Sequence, residues 1–284
     1  DLWEALLRLA SESRGRAASL ERPNLLLALK GRFRFRGSSV LRNDIKLVKT
    51  IATDWPQSIE DRIGGVAVPR PRLREALDEA AKNHRFVQVH GLPGTGKTAA
   101  LKHLALDCLA AGPILFLTPD RLAGNSWQAF AQSIGLSCHD PKTLLAEIEA
   151  LGTPYLFIDG IDRIESAQRN IVTDLLQPIL HSEALSDWRV VVTARDIGIE
   201  PLRNWLPAEL FAIQGIGMVE VRPFDDDEAT ALADSLPGLR PLLFSTPQVQ
   251  DSLTTSFLSG HFCTRSRTKT IGSMRFAKSA SHRF

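Results

Sequence analysis

Gly91-Leu92-Pro93-Gly94-Thr95-Gly96-Lys97-Thr98 has the residue types and spacing of a loop that cradles phosphates. Its glycines let the backbone curl until successive N–H groups point inward, and a helix that follows aims its positive end at the same anion. Lys97 has the reach and charge for the outer phosphates, and Thr98 carries a hydroxyl that can ligate Mg²⁺. A glycine-rich turn that binds nothing is the alternative, but the flanks argue against it. Apolar Phe86 to His90 precedes the loop as a buried strand would, and a helix-like run from Ala99 to Leu109 follows it. The whole loop, Leu92, Pro93 and Thr95 included, is expected to bind a nucleoside triphosphate.

Two further strand ends carry polar groups suited to the same ligand. Tyr155-Leu156-Phe157-Ile158 is an apolar run ending in Asp159, and a buried parallel strand delivers such a carboxylate to the sheet edge where a phosphate loop sits. Asp159 is expected to hold a Mg²⁺-bound water, sharing the metal with Thr98; capping of the next helix is the plainer alternative. Asp162 is the next carboxylate able to orient an attacking water. Trp188 to Thr193 reads as another buried strand, after which Thr193 or Arg195 can meet the γ-phosphate through a charge-assisted hydrogen bond. The acidic run from Asp225 to Glu228 has capping-box spacing, which explains it better than metal binding does.

These groups need a scaffold, and the pattern around them supplies one. Strands are expected at Phe86–His90, Ile114–Thr118, Tyr155–Asp159, Trp188–Thr193 and Met218–Val221. Helices are expected between them at Lys97–Cys108, Trp127–Ile134, Lys142–Leu151, Ala167–Ile179 and Glu228–Ser235. Apolar strands alternating with amphipathic helices imply an α/β fold, a parallel five-stranded sheet covered on both faces. Ahead of it, Leu2 to Leu9 and Asn24 to Lys30 show helical patterns, and Phe33 and Phe35 alternate with arginines as in an edge strand. Asn43–Asp54 and Gln57–Ile63 read as two helices broken at Asp54-Trp55-Pro56, and a further helix is expected from about Arg74 to Asn83.

With 284 residues, 44% of them hydrophobic, the chain can bury a large core, and it contains no apolar run long enough to span a bilayer. A cytoplasmic location with no membrane contact is expected. Cys108, Cys138 and Cys263 lack CxxC spacing, so neither a disulfide framework nor a zinc site is implied. The net charge of +2 conceals a basic tail: residues 252–284 hold six Lys or Arg and no Asp or Glu. A disordered Ser/Thr-rich extension explains the tail better than a nucleic-acid arm, since dense charge and interleaved aromatics are missing. The chain starts at Asp1 and not Met, and is expected to be a fragment of a longer protein.

The order and spacing of these motifs carry a resemblance. Residues 66–243 resemble the nucleotide-binding module of STAND-class P-loop NTPases, relatives of AAA+ ATPases, with particular similarity to NACHT-type members. Gly91 to Thr98 stands as Walker A, Phe157-Ile158-Asp159-Gly160-Ile161-Asp162 as a NACHT-like Walker B, and Val191 to Arg195 as sensor 1. Val68 to Leu73 is similar to the segment that packs near the adenine in such proteins, and Val221 to Leu239 resembles the start of their small helical lid. The resemblance implies a three-layer P-loop NTPase fold divided into an N-terminal helical segment (1–65), the core (66–222), a partial lid (223–250) and the tail (251–284). It also implies ATP and Mg²⁺ as cofactors, self-association through the module, and use as a switch with an unidentified protein partner. ATP is favoured over GTP by the resemblance and by the lack of an Asn-Lys-x-Asp motif. Gly160 stands where AAA+ motors have Glu, which implies slow hydrolysis; Arg163 stands where the NACHT pattern often has an acid. No winged helix or repeat array follows the lid. An AAA+-like ATPase that remodels nucleic acid is the second reading, resting on the tail and on Arg32 to Arg36.

Overall fold

A computed structural model describes residues 1–15, 20–33, 37–195, 200–212 and 215–244. In chain order the elements are α1 (Leu2–Gly15), α2 (Arg22–Leu29), α3 (Arg42–Gln57), β1 (Arg62–Ile63), β2 (Val66–Ala67), α4 (Pro71–Asn83), β3 (Phe86–His90), α5 (Lys97–Ala111) and β4 (Leu115–Leu117). Then follow α6 (Trp127–Ser133), α7 (Pro141–Leu151), β5 (Tyr155–Ile158), α8 (Arg169–His181), β6 (Arg189–Thr193), α9 (Glu200–Arg203), α10 (Glu209–Ala212), β7 (Gly217–Glu220), α11 (Asp226–Ser235) and α12 (Arg240–Leu243).

The expected sheet forms, with strand order β4-β5-β6-β3-β7 and every pairing parallel. Strands β3 to β6 are buried on both faces because both faces are covered, whereas the edge strand β7 alternates and exposes Met218 and Glu220. Alternate residues divide between two cores. Leu117, Leu156, Ile158, Val190 and Val192 pack with Trp127, Phe130, Leu144, Ile148 and Leu175 from α6, α7 and α8. Val87, Val89, Phe116, Phe157, Val191 and Val219 pack with Leu77, Leu101 and Leu104 from α4 and α5, and with Ala52 of α3. The result is the three-layer arrangement of a P-loop NTPase. Each fully buried Leu, Ile, Val or Phe contributes roughly 1.5–3 kcal/mol relative to leaving it in water.

Register brings the motif residues to one rim. Val89 pairs with Thr193, and Ile158 with Val192, so the phosphate loop, Asp159 and Thr193 leave neighbouring strands at the same level. Beyond β7, α11 opens with the expected capping box: Asp225 accepts from the Glu228 N–H at 2.9 Å while Glu228 accepts from the Asp225 N–H. Leu232, Ala233 and Leu243 of α11 and α12 then bury Ile63 of the β1–β2 hairpin, forming the start of a helical lid.

The region ahead of the core differs from expectation at one place. Residues 42–57 form one helix with Pro56 in its last turn, and Ile63 lies in a hairpin strand, not in a second helix. A proline so near the C-terminus removes one N–H without ending the helix upstream, and Ser58 N still bonds Asp54 O at 3.1 Å. The strand expected around Phe33 and Phe35 falls largely outside the described residues, as does the basic tail. Buried carboxylates on α7 hold the N-terminal segment: Glu147 takes Arg22 and the Ser38 N–H, and Glu149 takes Lys30 at 2.7 Å. Among the described residues no helix is long and apolar enough to cross a membrane.

Cys108, on α5, is a free thiol. Burial pushes it from 9.0 up to about 11. Because the unfolded chain ionises this thiol first, its contribution to stability is whole below about pH 9 and is lost as pH rises through about 11. Near pH 8, iodoacetamide is expected to alkylate Cys108 roughly 100-fold more slowly in the folded protein than in denaturant, followed by peptide mass spectrometry. Equal rates would contradict the upward shift of this partly buried thiol.

Candidate nucleotide site

The loop between β3 and α5 is shaped by a close approach that only glycine allows. Gly91 has φ +151°, and a Cβ there would collide with the Val221 carbonyl at the end of β7. Gly94 and Gly96 also have positive φ, and Thr95, buried at the loop's centre, donates to Leu92 O at 3.0 Å. Lys97, in the first turn of α5, folds back so that its ammonium donates to Gly91 O at 2.9 Å and Leu92 O at 2.7 Å. Burial pushes the Lys97 ammonium below the ordinary lysine range, while Asp162 and Asp159 act in the opposite direction. A buried cation beside fixed carboxylates is poised to exchange carbonyl oxygens for phosphate oxygens.

The Asp159 carboxylate is 4% exposed and fully engaged. Thr98 Oγ1 donates to it at 2.9 Å, Thr193 Oγ1 donates at 2.7 Å, and Arg163 Nη2 stands 3.5 Å away. Thr193 in turn accepts from the Gly160 N–H at 2.6 Å, so it bridges β6 to the turn after β5. Of the two γ-phosphate candidates, Thr193 is therefore buried and committed to Asp159, whereas Arg195 is half exposed and pairs with Asp162 at 2.7 Å. The Oδ1 of Asp162 has no hydrogen-bond partner among the described residues.

Pro93, Gly94, Gly96, Lys97 and Thr98 of the loop border one cavity of about 730 Å³ together with Asp159, Asp162, Arg163, Thr193 and Arg195. Ile59 to Gly64 and Leu236 to Leu239 of the lid complete its lining; Gly91, Leu92 and Thr95 of the expected set do not line it. Of the segment expected near the adenine, Val68 to Pro71 and Leu73 line another, more apolar cavity of about 610 Å³. The two share Asp61, Ile63, Gly96 and Ala99. The volume of the first suits a nucleotide-sized ligand. Among the described residues there is no cluster of three or more His, Cys, Asp or Glu that could enclose a metal. One carboxylate and one hydroxyl, held 2.9 Å apart beside a phosphate loop, nevertheless fit Mg²⁺, which keeps most of its waters and takes phosphate oxygens.

The NACHT domain family matches residues 85–236, more than half of the chain. The chain belongs to the NACHT family. Its members are nucleotide-binding P-loop NTPases, in keeping with the loop and the sheet order. Comparison with curated proteins gives no match. Among solved structures, the NACHT chain is similar to a Walker-type ATPase of Pyrococcus abyssi at 14% identity, covering 70% of this chain and 68% of that one, with a TM-score of 0.45. It is also similar to Cdc6p from Pyrobaculum aerophilum (18% identity, 65% of this chain and 52% of that one, TM-score 0.42). A third is AMPPCP-bound DnaA from Aquifex aeolicus (14% identity, 71% and 63%, TM-score 0.42). At these scores the likenesses add nothing to the family assignment.

Several residues of this NACHT site were given no role by the sequence reading. Arg70, just ahead of α4, donates to Glu228 of α11 at 3.1 and 3.2 Å, to Thr95 O of the phosphate loop at 3.0 Å, and to Arg222 O at 2.8 Å. Its guanidinium also lies over the Phe224 ring, 5.2 Å from the centroid. One side chain thus ties the loop to the lid. Asp61 similarly pins the hairpin to α5 through Lys102 and His103, each at 3.1 Å. Pairs so far apart in the chain leave no local signal; Arg70 was expected only as part of the adenine-proximal segment Val68 to Leu73.

Proposed function

We infer that this NACHT module binds ATP with Mg²⁺ in the cavity beside the phosphate loop and works as a slowly hydrolysing switch. What carries the reading is Arg70, which joins Thr95 O of the phosphate loop to Glu228 of the lid, so that loop occupancy and lid position share a side chain. Gly91 to Thr98 wrap the phosphates, with Lys97 turning from Gly91 O and Leu92 O to their outer oxygens. Thr98 and Asp159 would hold Mg²⁺, directly and through a water. Bound there, the metal supplies charge neutralisation on the phosphates. Thr193 keeps Asp159 oriented, Asp162 offers its Oδ1 to a water, and Arg195 stands by to meet charge on the γ-phosphate.

Slow turnover follows from Gly160. The residue after Asp159 contributes no carboxylate to activate water, leaving that task to Asp162, whose other oxygen is held by Arg195. An ATPase with that economy suits a state marker better than a motor. Self-association and a protein partner belong to the same proposal, as does the division into segment, core and lid. The features behind the nucleic-acid-remodelling reading, the basic tail and Arg34 to Arg36, lie outside the described residues.

Hydrogen exchange tests the switch. Amides of residues 226–243 are expected to exchange more slowly with Mg²⁺-ATP than with Mg²⁺-ADP. Arg70→Ala leaves the Glu228 carboxylate, in a residue 9% exposed, with only the Asp225 N–H, and should cost about 2 kcal/mol locally, speeding lid exchange some tens of fold and erasing the ATP–ADP difference. A lid indifferent to nucleotide in the unaltered protein would sink the switch reading.

A further inference from the structure

Arg163 reaches Asp159 across a space that only glycine leaves open. Its Nη2 lies 3.5 Å from Asp159 Oδ2, the oxygen that Thr98 also meets at 3.1 Å. A Cβ on Gly160 would stand 2.5 Å from both Nε and Nη2 of Arg163, and the φ of +63° already disfavours any side chain there. The missing side chain at 160 and the guanidinium at 163 are therefore one arrangement. Where a second carboxylate could have flanked Asp159, a permanent cation sits instead.

We propose that Arg163 is a built-in counter-cation for Asp159, which Mg²⁺ has to displace, so that nucleotide binding by this chain depends only weakly on the metal. The proposal rests on the reading of Asp159 as the metal-supporting carboxylate. Thr98 and Thr193 can each give Asp159 a single hydroxyl proton, and neither cancels its charge. Arg163 does so as an ion pair at 3.5 Å, with its charge beside the oxygen that a metal-bound water would use. Once displaced, the guanidinium stays in the cavity wall with Lys97 and Arg195, half exposed and free to turn toward phosphate oxygens. Both effects act in one direction: Arg163 strengthens metal-free binding and weakens the gain from Mg²⁺.

The quantity that reads this is the ratio of the Kd for ATP in EDTA to the Kd in Mg²⁺, measured by calorimetry on the full chain. Arg163→Gln should raise the ratio about tenfold, with the melting temperature little changed because the side chain is nearly half exposed. Arg163→Lys keeps the charge and should stay near the unaltered value. A ratio that does not move in R163Q, or that rises equally in R163K, overturns the proposal. Failure of the underlying reading looks different: the unaltered chain would then bind ATP in neither buffer.

Discussion

Lys97→Ala is expected to weaken Mg²⁺-ATP binding by at least about 100-fold while leaving the fold intact. The ammonium makes two charge-assisted hydrogen bonds to loop carbonyls, and phosphate oxygens would replace them with stronger partners. Losing two such bonds to a charged ligand removes roughly 3–5 kcal/mol of binding free energy, which is 100-fold or more in Kd. Stability should respond little. Burial holds the Lys97 charge at a cost, so deleting it offsets the lost bonds to Gly91 and Leu92, and the net change should be within about 1 kcal/mol. Displacement of a fluorescent ATP analogue gives the affinity, and thermal unfolding checks the fold. A variant that binds as tightly as the parent would remove Lys97 from the site.

Asp159→Asn separates the metal from the nucleotide. The amide keeps the size of the carboxylate but removes the charge, and it can accept from Thr98 or Thr193 through one oxygen only. Phosphate release should fall about 10- to 100-fold, the range seen when a group that orients a metal's shell is lost. Binding in EDTA should hold or tighten, because a negative charge beside the phosphates has gone and Arg163 is released from its partner. The gain from Mg²⁺ should vanish. Loss of metal-free binding along with the Mg²⁺ response would instead make Asp159 a structural residue of the loop.

Much of this site was legible because buried parallel strands announce themselves. Phe86–His90 formed as expected, and Tyr155, Arg189 and Gly217 begin strands within a residue of their expected starts. The runs of β3, β5 and β6 are buried on both faces and lead to a polar residue, so the sequence marks the rim where chemistry collects, while the edge strand β7 alternates. The capping box at Asp225 and Glu228 was local and equally readable. Pro56 misled because a proline's effect depends on how far it lies from the helix end, and nothing local states where α3 stops. Thr193 could not be assigned to Asp159 without knowing that β5 and β6 are neighbours, which strand order decides and sequence does not. Arg70 and Glu228 are 158 residues apart, and their bond exists only because the lid returns over the loop. Arg163 was visible as a departure from the family pattern, but its use depended on the conformation of Gly160.

The central claim, that this NACHT module takes a Mg²⁺-nucleotide in the cavity between Lys97, Asp159 and the lid, meets its most direct test in calorimetric titration of the unaltered chain with Mg²⁺-ATP. Saturable binding of one nucleotide per chain is expected, weakened at least about 100-fold by Lys97→Ala. Absence of any heat of binding with ATP and with ADP, from protein shown to be folded, would contradict it.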